Sequence, residues 1–459
     1  MLSSRTSFGA VALLLALAAT AADARTARLR RLVVVGDSLL AGFGSGGLVE
    51  RGRPGQKDSP AAFVARRARV RLPLPAVTKP GVPPPLVIRD QNGNGRLDPG
   101  EVRRTKAGAG FRDDTDRRAW NLAVPGEDMR SVFDEISPTS LAGDVVGGGG
   151  VQGRDLLKLL ILGFPLRAES VSQPSLAREL DPTFILVWLG NNDVLPMATE
   201  TNPSAVTMSH EDFRSGFRRL LGALADTGAE MAVANLPDVT NVAALRHAAG
   251  EVTQCRTAAG AIEPVASDDL LSIDLDRALL PVPPCGKVLR SAERARIRAT
   301  VAGFNDEIAQ AIADVERTRG VAIAPVDVFA LVDRFLDGID VNGDGTADVR
   351  GGYLGGLFSL DGVHPTRTGY AVLANAFIEA IDARFGESIP TVRLARVARR
   401  DPLAHSRFRP AGEPPFGVID PGSQDVASSF DLLFQRIEDD AADFGSEIEE
   451  ALSDFFNPF

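Results

Sequence analysis

Leu32-Val33-Val34-Val35-Gly36-Asp37-Ser38-Leu39 sets a short apolar, β-branched run against a glycine and then a serine. A run of this kind, with no polar alternation, reads as a strand buried on both faces. The glycine lets the backbone turn sharply, and the serine then stands at the carboxyl end of the strand, where open α/β sheets hold their ligands. On its own, Gly-Asp-Ser also describes an ordinary strand-ending turn, so the rest of the chain must decide what the hydroxyl does.

Working outward, residues 184–189, 231–234 and 321–324 have the same buried-strand character, and residues 120–124 show it more weakly. Helical patterns lie between them. Ser59-Pro60 has the chemistry of a cap followed by a first helical residue. Ser209-His210-Glu211-Asp212 opens another helix, with Phe213, Phe217, Leu220, Leu221 and Leu224 on one face. Residues 291–315 and 368–385 also read as helices. Strand–helix alternation predicts an α/β fold with a parallel sheet covered on both faces. Residues 72–115, 241–288 and 337–352 read as insertions into that pattern.

A nucleophilic serine needs a base, a group that orients the base, and donors for the oxyanion. Ser359-Leu360-Asp361-Gly362-Val363-His364-Pro365 supplies Asp361 and His364 three apart, in a loop just before a helix. This spacing lets the carboxylate receive Nδ1–H while Nε2 faces the serine. The other histidines, His210, His247 and His405, lack such a setting. Donors come from two further turns. Gly190-Asn191-Asn192-Asp193 follows a strand and offers the Asn192 amide; Asn121-Leu122-Ala123-Val124-Pro125-Gly126 offers the Gly126 N–H. Each of these also has a plain reading as turn punctuation, but together they occur in an order suited to one site.

With these four blocks in view, the sequence resembles the GDSL/SGNH hydrolase superfamily. Gly36-Asp37-Ser38-Leu39 matches the first block, Asn121-x-Ala123-x-x-Gly126 the second, Gly190-x-Asn192-Asp193 the third and Asp361-x-x-His364-Pro365 the last. The similarity spans roughly residues 31–386. It implies a flavodoxin-like three-layer sandwich with a central parallel sheet. It also implies Ser38 as nucleophile, His364 as base and acid, Asp361 as its orienter, and Ser38, Gly126 and Asn192 as oxyanion donors. The reaction it implies is hydrolysis of carboxylic esters through an acyl-serine, with no catalytic cofactor. Two other readings stay open: acyl transfer to carbohydrate hydroxyls, and a calcium-stiffened binding protein on the same fold.

Calcium enters through Asp90-Gln91-Asn92-Gly93-Asn94-Gly95-Arg96-Leu97-Asp98-Pro99-Gly100-Glu101. Asp90, Asn92, Asn94, Asp98 and Glu101 fill positions 1, 3, 5, 9 and 12 of a calcium loop, Arg96 supplies the seventh through its carbonyl, and Gly95 is the sixth. Pro83-Pro84-Pro85 upstream argues against an incoming helix, hence against a paired EF-hand. Asp340, Asn342, Asp344 and Asp348 begin the same pattern, but the twelfth residue is Gly351, so the bidentate carboxylate is missing.

The first 24 residues read as a signal peptide: Arg5, an apolar run over residues 11–18, then Ala22-Asp23-Ala24. The run is too short to span a bilayer, and no later segment qualifies. The protein is expected to be secreted or periplasmic. In such a compartment Cys255 and Cys285 default to a disulfide, two buried thiols being the alternative.

The chain has 459 residues and a formal charge of −10, with no long basic cluster, which argues against nucleic acid as partner. The charge is unevenly spread. Residues 25–390 read as the hydrolase domain; residues 391–410 carry +5 and residues 411–459 carry −11. Phe430, Leu433, Ile437, Ala441, Phe444, Ile448, Leu452 and Phe455 recur at helical spacing, an acidic amphipathic tail expected to dock on the body or self-associate.

Overall fold

A computed structural model describes residues 27–52, 54–104, 109–147, 151–408 and 415–419, together with 445, 448, 449 and 452. The expected signal peptide lies outside the described residues, as does nearly all of the acidic tail.

Four strands form the central sheet: β1 (Leu32–Gly36), β2 (Phe184–Trp188), β3 (Glu230–Ala234) and β4 (Ile323–Val326). They pair in that order and all in parallel, with Val33 opposite Ile185 and Gly36 opposite Trp188. Every side chain of β1 and β2 is buried, as unbroken apolar runs require when both faces are covered. Residues 120–124 run along the free edge of β1: Val34 N–H donates to Trp120 O (2.9 Å), Leu122 N–H to Val34 O (2.9 Å) and Val124 N–H to Gly36 O (3.0 Å). With this edge included, chain order across the sheet is second, first, third, fourth, fifth. That is the flavodoxin-like arrangement, whose switch point lies beside β1.

Helices cover both faces: α1 (Ser38–Ala41), α2 (Pro60–Ala68), α3 (Gln173–Glu179), α4 (Asn191–Thr199), α5 (His210–Ala225), α6 (Ser291–Arg319), α7 (Val328–Asp337) and α8 (Arg367–Phe385). Helices α3, α5 and α6 pack together on one side, and α2 packs on α8 on the other. The caps are those the sequence predicts. Ser59 Oγ accepts from Ala62 N–H (3.1 Å), and Ser209 Oγ from Asp212 N–H (3.1 Å). Phe213, Phe217, Leu220, Leu221 and Leu224 of α5 are all fully buried, so the 3.6-residue stripe faces the core.

Strands Leu86–Ile88 and Val102–Arg104 pair antiparallel, and the 90–101 loop is the tip between them, so strands and not helices flank it. Residues 417–419 dock on its exit: Gly100 N–H donates to Gly417 O (2.9 Å) and Val102 N–H to Val418 O (3.1 Å). Cys255 and Cys285 are disulfide-bonded, with Cα atoms 4.9 Å apart. They sit in a small core with Val252, Val265, Leu271 and Phe416, apart from the main one.

Candidate active site

The glycine before the nucleophile position works differently from the expectation of a sharp turn. Gly36 is not in the left-handed region; a Cβ there would lie 2.6 Å from Trp188 O, so its hydrogen permits β1 and β2 to approach at their carboxyl ends. The turn is made by the next residues. Asp37 caps α1, its Oδ1 accepting from Leu39 N–H (3.0 Å) while Oδ2 accepts from Asn191 Nδ2 (2.8 Å). Burial pushes the Asp37 carboxyl up to about 6 against these two donors.

Ser38, the first residue of α1, is 4% exposed. Its Oγ is 2.9 Å from His364 Nε2, across 326 residues of chain. His364 Nδ1 is in turn 3.0 Å from Asp361 Oδ2. The carboxylate is held from several sides: Oδ1 accepts from His364 N–H (2.8 Å), Val363 N–H (2.9 Å) and Ser359 Oγ (3.2 Å), and Oδ2 from Gly46 N–H (2.6 Å). Burial alone would raise Asp361, but His364 and these N–H donors together hold it below the usual carboxylate range. It therefore stays ionised beside the imidazole. The Phe43 ring packs against the imidazole, centroids 4.8 Å apart.

Asn192 lies in the first turn of α4, and its Nδ2 donates to Glu127 O (2.7 Å). An amide nitrogen carries two hydrogens, and the carbonyl takes one. Ser38, His364 and Asn192 all border one pocket against the sheet edge. Gly126, at φ +78°, immediately precedes Glu127. It is buried but does not border that pocket, so it meets the other blocks through the Asn192–Glu127 bond.

Three further residues hold these parts together, and no motif announced them. Gln173, at the start of α3, accepts from Gly36 N–H (2.9 Å) through Oε1 and donates to Gly36 O (3.0 Å) and Glu127 Oε2 (3.1 Å) through Nε2. Glu127 Oε1 faces Lys158 Nζ at 3.4 Å, both side chains 1% exposed. Lys158 also donates to Ser131 O (2.7 Å) and Asp134 O (3.1 Å). Burial raises the Glu127 carboxyl, with Lys158 opposing. Asp193, beside Asn192, accepts from Thr207 Oγ1 (2.5 Å) and Met129 N–H (3.0 Å), and burial pushes it up to about 7. Asn191 could have been found from the doubled asparagine after β2. Gln173 could not, since it sits inside an ordinary Ser172–Ser175 capping box.

Pro237, Val239 and Val242 after β3, Val332 and Phe335 of α7, and Leu195 of α4 complete the pocket around Ser38. A larger groove of about 1050 Å³ runs along the 86–88 strand and residues 402–408, but neither Ser38 nor His364 lines it. Of the apolar stretch 194–197, only Leu195 lines the pocket, whereas Val194 and Met197, three apart on the helix, are fully buried.

No residue of either aspartate-rich loop lines the Ser38 pocket. In the first, Asp90 Oδ2 accepts from Gly95 N–H (3.1 Å), Asn92 Oδ1 from Asn94 N–H (3.0 Å) and Asn94 Oδ1 from Arg96 N–H (2.7 Å). Asp98 Oδ2 accepts from Asn92 and Asn94 Nδ2, and Glu101 caps Gln91 N–H (2.9 Å) and Asp98 N–H (3.0 Å). In the second, Asp340 accepts from Gly343 N–H (2.6 Å) and Gly345 N–H (2.7 Å), and Asp348 Oδ1 from Asn342 Nδ2 (2.9 Å). Asp344 Oδ1 accepts from Thr346 N–H (2.9 Å). This loop closes through the Ile339–Val349 bridge, and Gly351 N–H then donates to Phe335 O (2.7 Å). The second loop thus abuts the helix that lines the pocket. Among the described residues, Cys255, Glu263 and Cys285 bring three ligand-type atoms together, but the disulfide uses both sulfurs.

A parallel sandwich with a serine, an imidazole and a carboxylate in line at the carboxyl edge of its sheet has the parts of a serine hydrolase. The description GDSL-like Lipase/Acylhydrolase matches residues 32–377, and the chain belongs to that family. It is a hydrolase, with a small-molecule substrate. Among solved structures, one similar chain is LAE5, an alpha/beta hydrolase enzyme from the metagenome of Lake Arreo, Spain. It is 15% identical, covers 76% of this chain and 93% of its own, and has a TM-score of 0.32, so it adds nothing to the fold argument. No curated protein matches this chain.

Proposed function

We propose that this hydrolase cleaves carboxylic esters through an acyl-serine intermediate, and that it is exported. The observation that carries the reading is the Ser38–His364–Asp361 line, with contacts of 2.9 and 3.0 Å. Ser38 Oγ attacks the ester carbonyl as its proton passes to His364 Nε2. The ionised Asp361 stabilises the imidazolium that forms. The Asn192 amide, with the Ser38 N–H, meets the negative charge on the carbonyl oxygen, and Gly126 acts beside it by placing the Glu127 carbonyl that holds Asn192. Collapse of the tetrahedral intermediate breaks the ester C–O bond, and His364 returns the proton to the departing alkoxide. Water then repeats the sequence on the acyl-serine and releases the carboxylic acid.

Export is supported by the leader-like first 24 residues and by the Cys255–Cys285 disulfide, which suits an oxidising compartment. Among the described residues no helix is long and apolar enough to cross a membrane. Docking of the acidic tail on the body is supported by Ile448, which is 1% exposed.

The 90–101 loop is proposed to bind calcium as a structural ion. Asp90 Oδ1, at the loop's first position, is buried without a hydrogen-bond partner, which leaves a lone pair for a cation. The enzyme reading is tested by assaying p-nitrophenyl acetate and longer esters with the wild type and Ser38→Ala. Esters are cleaved by the first and not the second. Added alcohols and sugars, with product analysis, reveal whether water or a hydroxyl takes the acyl group.

A further inference from the structure

The pocket beside Ser38 is small and lined chiefly by apolar side chains, and these two properties define a substrate class. Its apolar walls are drawn from distant parts of the chain. Leu195 stands on α4, Val239 and Val242 on the segment after β3, Val332 and Phe335 on α7, and Phe358 just before the Asp361–His364 loop. Phe335 and Phe358 meet edge to face, centroids 5.9 Å apart, and Gly351 N–H holds the Phe335 backbone at 2.7 Å. This part of the wall is therefore braced and not a loose flap.

Most polar groups along this wall are committed, the Asn191 Oδ1 being the exception. Asp238 accepts from Arg298 Nη1 (2.6 Å) and Thr240 N–H (2.9 Å), and the Asn191 amide nitrogen is held by Asp37. No cation among the lining side chains is left to receive a charged acyl group. The space within it is about 60 Å³. A single water needs roughly 10–15 Å³ on this measure, so the pocket takes about four to six water-sized groups.

We propose that the acyl group of the ester enters this pocket and is short, unbranched and uncharged, about two to six carbons long, with Phe335 setting the depth. The inference rests on the ester-hydrolase reading above. A chain of twelve carbons overfills the space, and the alcohol portion lies outside it, toward solvent. The depth limit comes from packing, because a braced aromatic wall yields only at a cost.

The test is a kcat/KM series on p-nitrophenyl acetate, butyrate, octanoate and dodecanoate, beside ethyl, butyl and octyl acetate. The wild type is expected to favour acetate or butyrate, to fall at least tenfold by dodecanoate, and to vary little along the acetate series. Phe335→Ala is expected to move the optimum toward octanoate. Because that change opens a cavity in the core, Val242→Phe is the second variant, and it is expected to lower the butyrate-to-acetate ratio. Ser38-dependent cleavage by the wild type that favours octanoate or dodecanoate, or discrimination on the alcohol side instead of the acyl side, overturns the short-acyl pocket and leaves the ester reading intact. No cleavage of any ester, or cleavage indifferent to Ser38→Ala, overturns the ester reading itself.

Discussion

Gln173 grips Gly36 by both ends of one amide, receiving its N–H at 2.9 Å and donating to its carbonyl at 3.0 Å. Gly36 is two residues before Ser38, and the same Gln173 nitrogen reaches Glu127, the neighbour of Gly126. One buried side chain therefore fixes the strand end that carries the nucleophile against the segment expected to carry an oxyanion donor.

Gln173→Leu keeps the volume and removes these bonds. It takes one partner from each of Gly36 N–H, Gly36 O and Glu127; Gly36 O keeps Val124 N–H (3.0 Å), and a buried group left unsatisfied costs about 1–3 kcal/mol. We predict a fall in kcat of at least about tenfold with a smaller change in KM, alongside a lowered Tm. Gln173→Glu, which keeps the acceptor for Gly36 N–H, is expected to recover part of the loss. Equal kcat in Gln173→Leu and wild type rejects the positioning role.

Ser38 and His364 act as a unit, so their losses do not add. Each alanine variant is expected to lower kcat by at least about 10³-fold, and the double variant by little more than the worse single. The base must be neutral to take the serine proton. Turnover by His364→Ala equal to that of the wild type counts against His364 as the base.

Stability responds to pH with a definite sign at Asp193. Its folded-state value is pushed up to about 7 from 3.8, and that of Asp37 to about 6. Protons released near 3.8 in the unfolded chain are kept in the fold. The stability this contributes is full below that value and is lost as pH rises toward 7. Asp361, held low, acts in the opposite sense, losing its contribution on acidification. Asp193→Asn cannot ionise, so its Tm relative to wild type is expected to rise between pH 4 and 7 and then level off. A difference unchanged across that range contradicts the assignment.

Calcium is expected to raise Tm. Binding to the native state alone contributes about 2.7 kcal/mol at a hundredfold excess over Kd. Melting in chelator and then in excess calcium should separate for the wild type and coincide for the Asp90→Ala, Glu101→Ala double variant. Coinciding curves for the wild type reject the site.

How much was legible in the sequence follows from which contacts are local. The strands at 32–36, 184–188 and 230–234 announce themselves, because burial on both faces demands unbroken apolar runs. The edge at 120–124 reads weakly since Pro125 ends it and Asn121 turns its amide to Leu40 O (2.9 Å). Ser38, Asp361, His364 and Asn192 were legible as residue types in tight turns, and the fold brings them together. The brace formed by Gln173, Glu127 and Lys158 was not, because each of its bonds spans at least 24 residues and none follows a period. Pocket shape was likewise hidden: helical phase in α4 points Leu195 into the cavity and Val194 and Met197 into the core.

Mass analysis of the protein quenched during turnover of p-nitrophenyl butyrate, or after an organophosphate ester, tests the central claim most directly. The account predicts one covalent adduct, on the peptide containing Ser38, formed by the wild type and absent from Ser38→Ala. An adduct on another residue, or ester turnover that persists undiminished in Ser38→Ala, would contradict it.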